Sequence, residues 1–347
     1  MDILKLPNEM LVEICRRVDW ISLQNLQLVS KEFNEVIQKN LSTMKKPKVN
    51  SLWIVYKLND NEEKINLQVY IIHEKKLKLK NCLTIKIGFT NLICNSMEIF
   101  EFYIERLNLS RMKLFCIHIK GQSRVVEIIN KYIKYKIHVK RLILNIDQSP
   151  ILTSLIELLS KLNYVKKLYI SRLCFDHQNI RTDLKLSLPN SLKSLMIKEC
   201  KCTKFINTPM IIEIIENNKN LKKISIISNT TSYKKKIVNI MKKRQKDNSE
   251  NMCKHDNYSL SFIHQYDTIP AKEFVKFFST GNVWRIKKFY NFSSLNDITA
   301  TIIVAQTCSN CMKEMEIKLE FVKAIDKCFG GCSLNQLPLI PTQYLTN

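Results

Sequence analysis

The sequence predicts an α/β protein, with a small helical unit at the N-terminus followed by a long region of alternating strands and helices. Three observations carry this. Apolar residues recur at helical spacing within residues 6–37. Beyond residue 50, strand-like apolar runs alternate with stretches of helical periodicity. One strand pattern, apolar-x-x-apolar-x-apolar, returns at intervals of 26 to 29 residues between Met112 and Ile226.

The helical unit reads LPNEMLVEICRRVDWISLQNLQLVSKEFNEVI. Pro7 suits a first helical turn, where a missing N–H costs nothing. Met10, Leu11, Ile14 and Val18 then share one face of a first helix. Asp19 to Ile21 break the run, and Ser22 is expected to cap a second helix carrying Leu23 and Leu26. Ser30 is expected to cap a third, with Phe33, Val36 and Ile37 on one side. So small a unit buries little surface and needs a partner or the following domain to complete it.

The repeated strand begins at Met112, Val139, Val165, Leu192 and Leu221. Stretches of helical periodicity at 151–162 and 210–218 lie between repeats, so each unit reads as one strand plus one helix. Side chains alternate across a strand, which sends Arg141 and Ile143, Lys167 and Tyr169, Met196 and Lys198, and Lys223 away from the apolar side. A lysine precedes each strand: Lys113, Lys140, Lys166, Lys193 and Lys222. Such a ladder is a solvated edge or, as the sharper reading, a track for an acidic or phosphorylated segment. Less regular strands are expected at 51–58, 65–73 and 83–89, and later ones at 258–266 and 298–306. A helix is expected over 313–327.

The N-terminal segment resembles an F-box. The residues that carry the likeness are Leu6-Pro7, Glu9, Ile14, the spaced Leu23 and Leu26, Val29-Ser30-Lys31, Phe33 where the family more often has Trp, and Ile37. The resemblance implies docking onto a Skp-type adaptor and, through it, a cullin. Leu6, Pro7, Glu9, Ile14, Leu23, Leu26, Val29 and Phe33 are then the adaptor-binding residues. It implies no active site, since ubiquitin comes from a separate conjugating enzyme. The repeats are similar to an irregular leucine-rich repeat, whose expected Asn or Cys falls on Lys120, Asp147, Leu173, Cys200 and Asn229, of which two fit.

The organisation that follows is an F-box over 1–46, a leucine-rich-repeat-like strand/helix solenoid over 47–230, a basic polar linker over 231–257, and an α/β cap or further irregular repeats over 258–347. The expected function is that of a substrate-recognition subunit of an SCF-type ubiquitin ligase. Its protein substrate, acidic or phosphorylated, lies on Arg141, Ile143, Lys167, Tyr169, Met196, Lys198 and Lys223. The alternative is a basic nucleic-acid- or phosphate-binding repeat protein without a ligase role.

Composition narrows the remaining classes. The chain has 55 basic and 31 acidic residues, a net charge of +24, but the charge is dispersed, which favours a solvated surface over a nucleic-acid track. Two runs stand out, Lys234-Lys235-Lys236 and Lys242-Lys243-Arg244, for which nuclear localisation is one reading. Five glycines cannot build a GxGxxG or GxxxxGK loop. No leader and no membrane span is read, and twelve cysteines without a leader suggest reduced thiols in cytoplasm or nucleus. Cys308-x-x-Cys311 and Cys328-x-x-x-Cys332 resemble two halves of a zinc site. The longer second spacer and the helix expected between them argue for incidental thiols, so neither metal nor cofactor is expected. Cys253 and His255 are expected to be solvated. No His sits at a catalytic spacing from Ser, Cys or a carboxylate, so no catalytic residue is assigned.

Overall fold

A computed structural model describes residues 6–59, 62–76, 83–134, 136–175, 180–181, 183–199, 205–228, 232–253, 255, 258–264, 284–293 and 298–323. The chain is mixed α/β and forms two compact units. The first comprises residues 1–178, 185–195 and 217–220, and the second 179–184, 196–216 and 221–347.

The first unit opens with helices α1 (Asn8–Arg17), α2 (Trp20–Val29) and α3 (Lys31–Lys39). Pro7 immediately precedes α1, and its carbonyl accepts from the amides of Met10 and Leu11. The second helix starts two residues before the expected Ser22 cap. Asp19 takes that role instead, accepting from the Ser22 amide at 3.1 Å and its hydroxyl at 2.8 Å. A carboxylate at this position also opposes the positive end of the helix dipole. Ser30 caps α3 as expected, accepting from the Phe33 amide at 3.3 Å. Leu11, Cys15, Leu23, Phe33, Val36, Ile37, Leu41 and Met44 form the core of these helices.

Three antiparallel strands follow: β1 (Val49–Asn59), β2 (Glu62–Lys76) and β3 (Leu83–Cys94). The chain then crosses through α4 (Met97–Glu105) to β4 (Arg111–Lys120), which pairs parallel with β1. Next come α5 (Val125–Tyr132), β5 (Ile137–Asp147), α6 (Leu152–Ser160) and β6 (Leu162–Leu173), and each new strand pairs parallel with the last. Strand order in this unit is β3-β2-β1-β4-β5-β6. Right-handed crossovers that always step in one direction leave their helices on one face of the sheet. Leu142, Leu144 and Ile146 of β5 are fully buried on that side, and Arg141, Ile143 and Asn145 on the other are half-buried.

The second unit contains α7 (Thr208–Asn217), β8 (Lys223–Ile227), α8 (Tyr233–Met252) and β9 (Tyr258–His264), preceded by β7 (Ser194–Glu199). A meander of β10 (Arg285–Ser293), β11 (Ile298–Thr307) and β12 (Glu314–Lys323) follows. Strand order here is β8-β9-β12-β11-β10, with β12 parallel to β9. Two expectations are corrected. Residues 314–323 form a strand, not a helix, because Met315, Ile317 and Leu319 are buried at period two with charged residues between them. The basic polar stretch, read as a helix followed by a linking loop, does contain a helix, α8, but it is packed and not a mere linker: Tyr233, Ile237, Val238 and Met241 are fully buried.

Candidate docking and substrate-binding surfaces

The helical unit separates its sequence-predicted residues into two groups. Leu23 and Phe33 are inside its own core, at 0% and 5% exposure. Their part is to hold the helices together. Pro7, Glu9 and Val29 are exposed, and Leu6, Ile14 and Leu26 are half-buried. Sequence reasoning missed Leu28 and Met10 as exposed apolar groups. Leu28 is 85% exposed beside Val29 at 77%, and Met10 is 52% exposed one turn after Pro7. Their signal was an apolar residue beyond the number one buried stripe can hold.

Val29 and Leu26 continue into a shallow groove lined also by Val18, Ser22, Arg17 and Lys45. Its basic side is pinned locally. The Lys45 ammonium donates to the Arg17 carbonyl at 2.7 Å, and the Arg17 guanidinium pairs with Glu13 at 3.1 Å. Asp19 and Asn25 line the groove too, so three apolar side chains sit among five polar or charged ones, a mixed composition compatible with a protein partner. Met10, Leu28 and Val29 thus leave apolar surface open on a small helical unit.

Residues 3–45 match the family model of the F-box domain, so this N-terminal segment is an F-box. Neither the comparison with curated proteins nor that with solved structures finds a match.

The predicted substrate face is brought together in part. In the first unit Leu114, Arg141 and Lys167 are paired across β4, β5 and β6, as are Cys116, Ile143 and Tyr169. Arg141, Ile143, Lys167 and Tyr169 thus form two adjacent rungs on the side away from the fully buried strand residues, all four half-buried. Ser51 and Trp53 of β1 extend the same two rungs on the far side of β4. His138 and Tyr164 stack with ring centroids 4.0 Å apart at the start of the same strands. Of the lysine ladder, Lys113 and Lys140 are exposed and Lys166 is half-buried. Met196, Lys198 and Lys223 belong to the second unit.

Deeper on this face sits a buried polar set that composition did not reveal. His118 is 8% exposed, with Nε2 3.0 Å from the Cys116 thiol and Nδ1 3.5 Å from the Asn145 amide nitrogen. Burial holds the His118 pKa below its ordinary value and pushes the Cys116 thiol up to about 12. A protonated thiol is a poor nucleophile, so Cys116 is not poised for chemistry near neutral pH. The basic runs are also partly absorbed into the fold: Lys234 is 3% exposed, and the Arg244 guanidinium donates to the Ile215 carbonyl. Burial brings the Lys242 pKa down to about 8.

Proposed function

We propose that this chain is a substrate-recognition subunit of an SCF-type ubiquitin ligase, in which the F-box holds a Skp-type adaptor and the α/β region holds a protein substrate. The observation that carries the reading is the F-box match over residues 3–45, on a unit that leaves Pro7, Met10, Leu28 and Val29 open to solvent. F-box proteins as a class work without an active site of their own. The contribution here is proximity: a substrate lysine held near the charged conjugating enzyme reacts at a raised effective concentration.

The one-strand, one-helix parallel run supports an irregular leucine-rich-repeat-like scaffold, whose outward rungs of Arg141 with Lys167 and Ile143 with Tyr169 suit an acidic or phosphorylated segment. Exposed single charges contribute under ~1 kcal/mol each, so several must act together. The test is capture of cellular partners by wild type and by Arg141→Glu with Lys167→Glu and Lys223→Glu. Adaptor binding is expected to persist while substrate capture is lost. Recovery of the same partners at the same salt tolerance would remove this face as the substrate site.

A further inference from the structure

Four potential metal ligands meet in the second unit. Cys253 ends α8, His255 lies ahead of β9, and Cys308 and Cys311 occupy the turn between β11 and β12. The register explains why they converge. Tyr258 at the start of β9 is paired with Ile317 early in β12, and Thr307 at the end of β11 with Glu314. The loop before β9 and the β11–β12 turn therefore emerge at the same edge of the sheet. The ligand atoms of all four residues lie within 4.8 Å of one another. Zinc with bonds of about 2.3 Å to sulfur and about 2.0 Å to nitrogen needs separations of ~3.5–3.8 Å. His255 Nε2 is already 2.9 Å from the Cys311 sulfur.

We propose that Cys253, His255, Cys308 and Cys311 bind one zinc ion in a closed, structural Cys3His site. Two further features fit this. The turn is also shaped around Cys308: the Cys308 amide donates to the Lys313 carbonyl at 2.9 Å, and the Met312 amide to the Cys308 carbonyl at 3.0 Å. Finally, Cys253 and Met312 have left-handed backbones, at φ 50° and 59°. Residues with a Cβ rarely adopt that conformation, and here it occurs on both sides of the cluster.

Binding replaces three thiol protons: Zn²⁺ enters, three S–H bonds give up H⁺ to solvent, and the neutral imidazole donates its free lone pair. Three thiolates and one imidazole leave no open position, which marks a structural and not a catalytic zinc. The ion ties the end of α8 to the β11–β12 hairpin. Cys328 and Cys332 lie outside the described residues and are not needed to complete the set.

The experiment is elemental analysis of the full chain purified without chelators. About one zinc per chain is expected, falling below about a tenth in Cys253→Ser and in Cys308→Ser. It is expected to persist in the Cys328→Ser, Cys332→Ser double variant. It should also persist in His255→Cys, because zinc accepts four thiolates. Loss of fold in a variant is separated from loss of a ligand by the circular dichroism of each variant, and the stripped wild-type chain is refilled with Co²⁺ alone. Visible bands of a tetrahedral site and a near-ultraviolet sulfur-to-cobalt band are expected. No zinc and no cobalt bands in wild type would overturn the proposal. So would zinc that survives the joint loss of Cys253 and Cys308, or zinc lost with Cys328 and Cys332.

Discussion

Leu23 and Val29 lie on the same helix, and both belong to the motif that identifies the F-box, yet their surroundings are opposite. Leu23 is fully buried and Val29 is 77% exposed. Truncating a buried leucine removes its transfer energy and leaves a cavity, so Leu23→Ala should lower stability by about 2–5 kcal/mol. Val29→Ala should stay within about 0.5 kcal/mol. Chemical denaturation of the two variants checks the contrast. Motif spacing alone could not make this distinction, because one pattern lists structural and docking residues together. His118 carries a second prediction. Burial holds its folded pKa below the unfolded value of about 6.5. Between those two values the unfolded chain binds a proton that the folded chain does not, so stability falls as pH drops below about 6.5. In His118→Gln that decline should shrink, as read from denaturation midpoints at pH 5 and pH 7.5. An unchanged acid dependence would assign it to other groups.

Among the elements, the parallel strands were legible and the last strand was not. Met112, Val139 and Val165 were aligned from the pattern, and Met112 pairs with Val139 and Val139 with Val165. A parallel ladder with one helix per crossover repeats the same burial at each step, and the sequence repeats with it. In β12, Met315 and Leu319 are four residues apart, a spacing that fits both a helix face and one side of a strand. Ile317, buried between them, decides for the strand. The lysine run at the start of α8 misled for a related reason. Lys234 shares a stripe with Val238, Met241 and Gln245, all buried, so position on the helix outweighs residue type there. Cys253 and His255 were illegible as partners of Cys308 and Cys311, because only the pairing of β9 with β12 joins them. The charge reversals at Arg141 and Lys167 of the first unit, with Lys223 of the second, test the proposed substrate-binding residues together. Capture by wild type should also weaken as salt rises, over the range in which the screening length falls from about 10 Å towards 3 Å. A salt-independent capture would point to an apolar surface.

For the whole molecule, the F-box is built into the first unit and does not hang from a flexible tether. The Val49 amide donates to the Asn108 carbonyl at 3.2 Å, and the Asn108 amide to the Pro47 carbonyl at 3.0 Å. The Lys46 ammonium donates to the Glu105 carbonyl, and the Arg106 guanidinium to Gln38 at 3.5 Å. Under the proposed function, a fixed join of this kind would carry the orientation of a docked adaptor to the outward rungs of the first sheet. The central claim is that exposed apolar side chains of the F-box bind a Skp-type adaptor. It is tested most directly by titrating the purified adaptor against the full chain and against the Leu28→Asp, Val29→Asp double variant. Both side chains are open to solvent, so the variant should keep its fold and thermal midpoint. Affinity should fall at least about tenfold, equivalent to about 1.4 kcal/mol. Equal affinity for a well-folded variant and wild type, or no binding by either, would contradict the account.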